Sequence, residues 1–391
     1  MGFDQRLPTG FYADVQDGVR AALVAEGLDA LLTDSPEDVA YLTGFFHHPC
    51  ERPVAVWLAV DGTTALLLPE LELEHAQTQR AVAEPAVYPE YPGLMPPFDA
   101  LAAKVPGVRR VGHPGGTTVD RLASIRAAFP GTEAVRTDVA TLARMRKRPE
   151  EIALHQEAAR ITDAMLVAGR ELVEQAIAAG GDLPSEAELA AHVTSFGSRT
   201  MYAEHHDVVV VSPLAGGLVY AAENSARPHG LPSARRLRPG DTFMLSLGCA
   251  VGGRFVEGER TFVLGEPSAE QRRYYEAVRQ AQEAGAASIR PGTSCAEANR
   301  TCLDVIRQAG LEEYLRHRQG HGIGLGMHEP PWLEDGDATV LEPGMVVSNE
   351  PGIYVTGHAG YRISDSMLVT DDAAVPFTSY PRSLGDVVEP L

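Results

Sequence analysis

The chain has 391 residues and a formal net charge of −20 at pH 7, with 33 Lys and Arg residues against 53 Asp and Glu residues. This length suffices for two domains with sizeable cores, and the negative charge argues against nucleic acid or an anionic membrane as a partner. Four cysteines without a CxxC pair indicate a reducing compartment. Because no apolar run is long enough to cross a bilayer and the first residues lack a signal-peptide pattern, we expect a cytoplasmic protein.

Residues 1–145 alternate between strand and helix patterns. The pair Asp61-Gly62 lies between two apolar runs and is a strong signal for a β-hairpin turn. The predicted helices are residues 17–26 and 119–128, and the predicted strands are residues 29–33, 54–60, 63–68 and 110–112. This alternation predicts an α/β N-terminal domain over residues 1–145.

The second half of the chain begins with a long amphipathic helix. Pro149 follows the basic residues 144–148 and starts this helix, which is expected to end near Gly180. Capping boxes predict three more helix starts, at Ser185, Ser268 and Ser294. The predicted strands are residues 208–211, 242–247, 260–264, 345–348 and 367–369. Together these elements predict an α+β domain over residues 150–391.

Five short blocks in the second half carry a family resemblance. They are residues 240–248 (GDTFMLSLG), 255–262 (FVEGERTF), 320–331 (GHGIGLGMHEPP), 346–354 (VVSNEPGIY) and 360–370 (GYRISDSMLVT). Together, and in this order, they resemble the creatinase–prolidase–methionine aminopeptidase family. The resemblance implies that the C-terminal domain has the "pita-bread" fold and that the protein is a hydrolase.

The resemblance also identifies the positions at which metal-dependent members hold two divalent cations with two Asp, one His and two Glu side chains. The matching residues here are Ser246, Glu257, His321, Glu350 and Ser364. Two of the carboxylates are replaced by neutral hydroxyls, which are weak ligands for zinc or manganese at pH 7. We therefore expect no metal cofactor, with a single divalent cation on Glu257, His321 and Glu350 as the alternative.

Other details resemble the metal-independent creatinase branch of the family. Members of this branch carry Ser where Ser246 stands and an E-R-T motif where Glu259 to Thr261 stand, and their catalytic His lies twelve residues before an Asp, as His229 lies before Asp241. An imidazole with a pKa near neutrality can activate water and protonate a leaving nitrogen, so His229 is the candidate proton shuttle. The other predicted catalytic residues are Glu259, Glu350 and His321.

Four further residues are predicted to bind the substrate: His328, Arg52, Arg362 and Ser246. Creatinase-like proteins use an Arg from the N-terminal domain of the other subunit to bind the substrate carboxylate, and Arg52 matches it. This match implies a homodimer. Cys50 and Glu51 stand where creatinase has an aromatic residue before that Arg, which argues against creatine itself as the substrate.

The main prediction is a metal-independent, creatinase-like or ectoine-hydrolase-like enzyme that cleaves a C–N bond in a small cationic or zwitterionic substrate. Without metal, carboxylates such as Glu259 and Glu350 are natural partners for a guanidinium or amidinium group. One alternative is a divergent Xaa-Pro dipeptidase or aminopeptidase with a degenerate metal site. Another is a non-catalytic binding protein on the same fold. Glu259 also has a purely structural interpretation, an ion pair with Arg260.

Overall fold

The computed structural model describes residues 3–391 and divides into two compact units. One consists of Arg6–Arg144 with Val209–Val211, and the other of Met145–Val208 and Ser212–Leu391 with the residues up to Gln5. Over residues 3–391, no helix has both the length and the apolar character that crossing a membrane requires. The bounds 1–145 and 150–391 stay a prediction about independently folding domains.

The N-terminal unit alternates helices with strands. Apart from β1 (Phe3–Asp4), which belongs to the other unit, the strands are β2 (Ala30–Thr33), β3 (Ala55–Ala59), β4 (Thr64–Pro69), β5 (Glu84–Tyr88), β6 (Arg110–His113) and β7 (Glu133–Arg136). The helices are α1 (Thr9–Ala25), α2 (Pro36–Thr43), a 3₁₀ turn (Glu70–Glu72), α3 (Leu73–Thr78), α4 (Pro97–Ala102), α5 (Val119–Ala128) and α6 (Val139–Met145), which ends at the boundary. The strands form a mixed sheet in the order β5-β4-β3-β2-β6-β7, which confirms the predicted α/β class.

The core of this sheet contains small and aromatic side chains. All residues of β2 and β3 are buried, and Trp57 of β3 stacks on Phe129 with ring centroids 5.1 Å apart. The hairpin between β3 and β4 turns at Gly62, whose φ of 100° lies in the left-handed region that favours glycine. The Asp61-Gly62 pair therefore predicted this hairpin correctly.

Four long helices belong to the C-terminal unit: α7 (Pro149–Ala179), α8 (Glu186–Glu204), α9 (Ala269–Ser288) and α10 (Cys295–Gln308). Shorter 3₁₀ turns lie at Ala222–Ala226, Glu312–Tyr314 and Leu384–Val387. Ser185 and Ser268 form complete capping boxes as predicted. Ser294 caps α10 through its hydroxyl, which accepts a hydrogen bond from the backbone of Glu297 at 3.2 Å.

The strands of the C-terminal unit are β8 (His205–His206), β9 (Ala215–Ala221), β10 (Thr242–Val251), β11 (Arg254–Leu264), β12 (Gly320–Gly322), β13 (Glu329–Leu333), β14 (Val346–Asn349), β15 (Gly352–Val355), β16 (Ala359–Arg362), β17 (Ser364–Val369), β18 (Ala374–Pro376) and β19 (Val388–Glu389). β1 pairs with β8, and β15 with β16. The rest form a nine-stranded sheet along β13-β12-β14-β17-β11-β10-β9, with β18 on β17 and β19 on β11. The strand predicted at residues 208–211 is wrong, because this apolar run pairs with no neighbouring strand.

The register of the large sheet brings distant residues together. β10 and β11 are joined by Gly252 and Gly253, which both have positive φ (56° and 76°), as a two-residue type I′ hairpin turn requires. From this turn, antiparallel pairing places Ser246 directly opposite Glu259. On the other side of β11, Glu259 lies opposite Ser364 of β17. Three of the residues singled out from the sequence are therefore neighbours across three adjacent strands.

Candidate active site

A large cleft opens in the C-terminal unit over this part of the sheet, with a cavity volume of about 1040 Å³. All three carboxylates from the sequence prediction line it, namely Glu257, Glu259 and Glu350. The other predicted residues along its walls are His229, Ser246, His321, His328 and Arg362. The sequence blocks that carry the family resemblance therefore meet in one cavity, which is the candidate active site.

His321 lies between two carboxylates on the floor of the cleft. Its Nε2 atom is 3.3 Å from Glu350 and 3.9 Å from Glu257, and its Nδ1 atom lies 3.0 Å from the carbonyl oxygen of Gly322. Burial opposes protonation of this ring, yet the Glu350 and Glu257 carboxylates outweigh it and raise the pKa of His321 to about 9. The Nε2 atom has no aligned hydrogen-bond partner among residues 3–391.

The two carboxylates beside His321 differ in their electrostatic environment. Burial and repulsion from Glu350 raise the pKa of Glu257. Burial acts in the same direction on Glu350, but its contact with the His321 imidazole prevails and lowers the pKa of Glu350. The His321 Nε2 atom and the carboxylates of Glu257 and Glu350 therefore lie together in the cleft, and a cation that bound there would displace the proton of the ring.

His328 adds a second imidazole at the exposed side of this point. Its ring centroid lies 4.0 Å from that of His321. Partial burial and the positive charge on His321 lower the pKa of His328 to about 4, so its ring is neutral at pH 7. One ligand atom each from Glu257, His321 and His328 lies within 4.8 Å of the other two. Carboxylate oxygen and neutral imidazole nitrogen are the ligands that zinc and other transition metals accept, so these residues fit one divalent cation.

The second half of the floor is occupied by an ion pair. The Arg362 guanidinium donates from Nη2 to Glu259 at 2.7 Å and to Ser246 at 3.0 Å, and from Nη1 to the hydroxyl of Tyr354 at 3.0 Å. Its Nε atom also contacts the second oxygen of Glu259, and the Ser246 hydroxyl donates to Glu259. Arg362 and Glu259 are only 5% and 4% exposed. The hydroxyl of Tyr354 also lies 2.8 Å from the Nε2 atom of His317.

The two serines therefore do not provide room or charge for a second cation. Ser246 is engaged by Glu259 and Arg362, and the Ser364 hydroxyl donates to Glu257 at 2.9 Å. A guanidinium charge also lies beside Ser246. The residues present fit one divalent cation and do not fit two.

Arg260, the residue after Glu259, has a separate structural role. Its guanidinium is fully buried and pairs with Asp365 at 2.9 Å, and it donates to the backbone carbonyls of Glu259, Ser364 and Tyr380. The structural interpretation of Glu259 as the partner of Arg260 is wrong for the side chain, because alternating residues of a strand point to opposite faces. The Glu259 carboxylate faces the cleft and pairs with Arg362 instead.

Two predicted residues lie at the margins. His229 is exposed on the rim of the cleft, in the loop that follows the Ala222–Ala226 turn. Arg52 belongs to the N-terminal unit, where it pairs with Glu51 at 2.9 Å and contacts Glu90. Its role across a dimer interface stays a prediction.

The sequence prediction missed some residues of the cleft. Tyr354 ends the quoted block at residues 346–354, and its hydroxyl holds Arg362. Arg318 donates to Glu334 at 2.7 Å and lies over the Trp332 ring, 4.3 Å from its centroid. The sequence signal for both residues was their position relative to the family blocks. Tyr354 is the last residue of one block, and Arg318 lies two positions before another, residues 320–331.

Comparison with known protein families agrees with this geometry. The profile of metallopeptidase family M24 matches residues 153–371. The chain belongs to metallopeptidase family M24. The profile of the creatinase/prolidase N-terminal domain matches residues 16–147. The predicted fold, an α/β N-terminal domain followed by a pita-bread domain, is thereby confirmed, and this M24 protein is a hydrolase.

Similar proteins span nearly the whole chain. The "Probable dipeptidase PepE" of Mycobacterium tuberculosis (strain ATCC 25618 / H37Rv) is 33% identical over 372 residues, which cover 93% of each chain. The "Xaa-Pro dipeptidase" of Lactobacillus delbrueckii subsp. lactis is 29% identical over 380 residues, covering 94% of this chain and 97% of the relative. The structure of an Xaa-Pro dipeptidase from Bacillus anthracis superposes with a TM-score of 0.83 at 27% identity, covering 97% of this chain and all of that one.

These findings correct two of the predictions. The placement in the metal-independent creatinase branch is not supported, because the similar proteins are dipeptidases. The expectation of no metal cofactor is not supported either, because the family is one of metallopeptidases and Glu257, His321 and His328 form a candidate ligand group. The error came from counting the two lost carboxylates without the geometry of those that remain.

Proposed function

We propose that this M24 hydrolase is a dipeptidase of the Xaa-Pro type that works with one divalent cation. The observation that carries the proposal is the cluster of Glu257, His321 and His328 in the cleft, whose ligand atoms all lie within 4.8 Å of one another, with Glu350 at 3.3 Å from the His321 Nε2 atom. The names of the relatives support the substrate class. The alternative of an enzyme on the same scaffold that cleaves a small amidine without metal keeps only short sequence signals in its favour, namely Ser246, the E-R-T motif and the spacing of His229.

The protein side chains divide the work. Glu257, His321 and Glu350 would hold the cation, with His328 as a further donor at the exposed side. A divalent cation in this place supplies Lewis-acid polarisation of the scissile carbonyl group. His229 and His328 contact the substrate from the rim, where an imidazole can hydrogen-bond a carbonyl or carboxylate. Glu259, Arg362 and Ser246 position the floor rather than react, because their polar atoms are engaged with one another.

The charges along the cleft favour a small zwitterionic peptide. The floor carries Glu257 and Glu350, which attract an amino terminus or a cation. The rim carries Arg227 and Arg316, and neither has a carboxylate partner in the part of the chain that the structure describes. A dipeptide has an amine at one end and a carboxylate at the other, so it matches this separation of charge.

We propose a cytoplasmic homodimer in which Arg52 of one subunit reaches the substrate carboxylate of the other. The acidic chain, its four scattered cysteines and the family resemblance support this arrangement.

The decisive experiment is hydrolysis of Xaa-Pro dipeptides by protein stripped with a chelator and then supplied with manganese, cobalt or zinc. We expect activity to be lost on stripping and restored by the cation. Glu257→Gln should abolish this recovery, whereas the matched control Glu283→Gln, an exposed residue on α9, should keep it. Turnover of creatine-type amidines by the stripped protein, without turnover of any dipeptide, would overturn the proposal.

A further inference from the structure

The part of the cleft floor next to the candidate cation ligands is filled by protein rather than by open space. We propose that the ion pair of Glu259 and Arg362, bridged by Ser246, is a built-in replacement for a second cation and limits the site to one. This inference rests on the proposed function, because it concerns the same cleft. It concerns the number of cations, which the family assignment leaves open.

The first argument is occupancy. One oxygen of Glu259 accepts from Arg362 at 2.7 Å and from the Ser246 hydroxyl, and the other oxygen contacts the Arg362 Nε atom. The guanidinium is held on its remaining edge by Tyr354 at 3.0 Å. A cation that took Glu259 as a ligand would have to displace a buried arginine that is hydrogen-bonded to this carboxylate through Nη2 and in ionic contact with it through Nε, and charge-assisted pairs of this kind are among the stronger ones in proteins. Glu259 is therefore a partner of Arg362 and not a free ligand.

The second argument is charge. Glu259 and Arg362 neutralise each other, and a cation bound to His321 would displace the proton of its ring. The negative charge that faces such a cation is therefore that of Glu257 and Glu350. One divalent cation balances these two carboxylates. A second divalent cation would leave two uncompensated positive charges beside a buried guanidinium, which a site of low dielectric constant strongly disfavours.

The third argument is strand geometry. Ser246 and Glu259 are cross-strand partners of β10 and β11, and their side chains meet in the cleft. A short side chain on one strand thus makes room for a long carboxylate on the next, which reaches Arg362 from the opposite side. The position of Ser246 has no carboxylate, and the carboxylate on the neighbouring strand, that of Glu259, pairs with Arg362 rather than with a metal.

The test is the number of cations bound per chain, which does not depend on activity. Full-length protein is equilibrated with excess manganese or zinc and dialysed, and its metal content is measured by inductively coupled plasma mass spectrometry. We expect about one cation per chain for the wild type and also for Glu259→Gln, and a loss of that cation in Glu257→Gln. If Glu259 were a ligand, the wild type would bind two cations and Glu259→Gln would bind one. That result would overturn this inference and the proposed number of cations, while the dipeptidase assignment, which is tested by hydrolysis of dipeptides, would stand.

A variant with a gain of binding gives independent evidence if Glu259→Gln fails to fold. The triple variant Ser246→Asp/Glu259→Ser/Ser364→Glu has carboxylates at both positions where this chain has serine and lacks the carboxylate that pairs with Arg362. It should bind about two cations per chain. A folded triple variant that still binds one cation would contradict the idea that the ion pair sets the number. A wild type that binds none would refute both this inference and the one-cation proposal.

Discussion

The Glu259–Arg362 ion pair should dominate the stability of the cleft floor, and a double-mutant cycle measures this directly. Both side chains are buried, and Arg362 approaches Glu259 at 2.7 Å. With the charge centres about 4 Å apart and an effective dielectric constant of about 20, their attraction is about 4 kcal/mol. Removing one partner leaves the other charge buried and unpaired, so Glu259→Gln and Arg362→Met should each cost about 3–5 kcal/mol.

The double variant should cost no more than about one of the single variants, because it leaves no unpaired charge. The expected coupling energy is therefore about 3 kcal/mol, obtained from urea unfolding of metal-free protein followed by circular dichroism. Arg307 and Asp304, an exposed pair at 2.8 Å on α10, provide the matched control, with an expected coupling below about 1 kcal/mol. Costs that simply add in the Glu259–Arg362 cycle would refute the reasoning, since they would mean that the two charges do not depend on each other.

Three other predictions follow from buried groups. Burial holds the pKa of His155 well below 6.5, so only the unfolded chain binds this proton, and the free energy of unfolding falls as the pH drops below about 6.5. Between pH 7 and pH 5, the free energy of unfolding of the wild type should fall by about 2 kcal/mol more than that of His155→Phe in urea titrations. Equal decreases in the two proteins would contradict this prediction. Arg260→Met should destabilise the fold by about 2–4 kcal/mol, because it removes one of the two arginine partners of the buried Asp365 carboxylate and leaves buried backbone carbonyls without their donor. A change below about 1 kcal/mol in urea unfolding would count against this reasoning. His321→Ala should lose the bound cation in equilibrium dialysis while the control His358→Ala, outside the cleft, retains it.

Much of the fold could be predicted because its signals are local. The Asp61-Gly62 turn, the proline at the start of α7 and the capping boxes at Ser185 and Ser268 each act within a few residues, and they are found as predicted. At Ser294 only the hydroxyl half of the predicted capping box forms. The apolar run at residues 208–211 shows the limit of this approach. Its composition favours a strand, but a strand also needs a neighbour with which to form hydrogen bonds, and composition does not reveal whether one exists.

In the active site, the pairing of Ser246 with Glu259 could also have been predicted from the sequence. Gly252-Gly253 is a two-residue turn signal, and counting outward from it along both strands pairs Ser246 with Glu259 by sequence position alone. The contact of Glu259 with Arg362, in contrast, could not be predicted from a local signal. The two residues are 103 positions apart, and only the sheet order that places β17, the strand after Arg362, next to β11 brings them together.

The loss of two ligand positions therefore has a more limited effect than a count of residue types implies. Counting Ser246 and Ser364 as two missing charges, with Glu259 as a new binder of substrate, favours a site without metal. In the structure, the Glu259 carboxylate is used by Arg362, and Ser364 supports Glu257 through a hydrogen bond at 2.9 Å. The remaining charge of Glu257 and Glu350, with the unsatisfied nitrogen of His321 between them, matches one divalent cation. Under the proposal made above, replacement of two carboxylates reduces the capacity of the site from two cations to one, and peptidase chemistry is still possible with a single cation, because three protein ligands and one open position are enough for catalytic zinc.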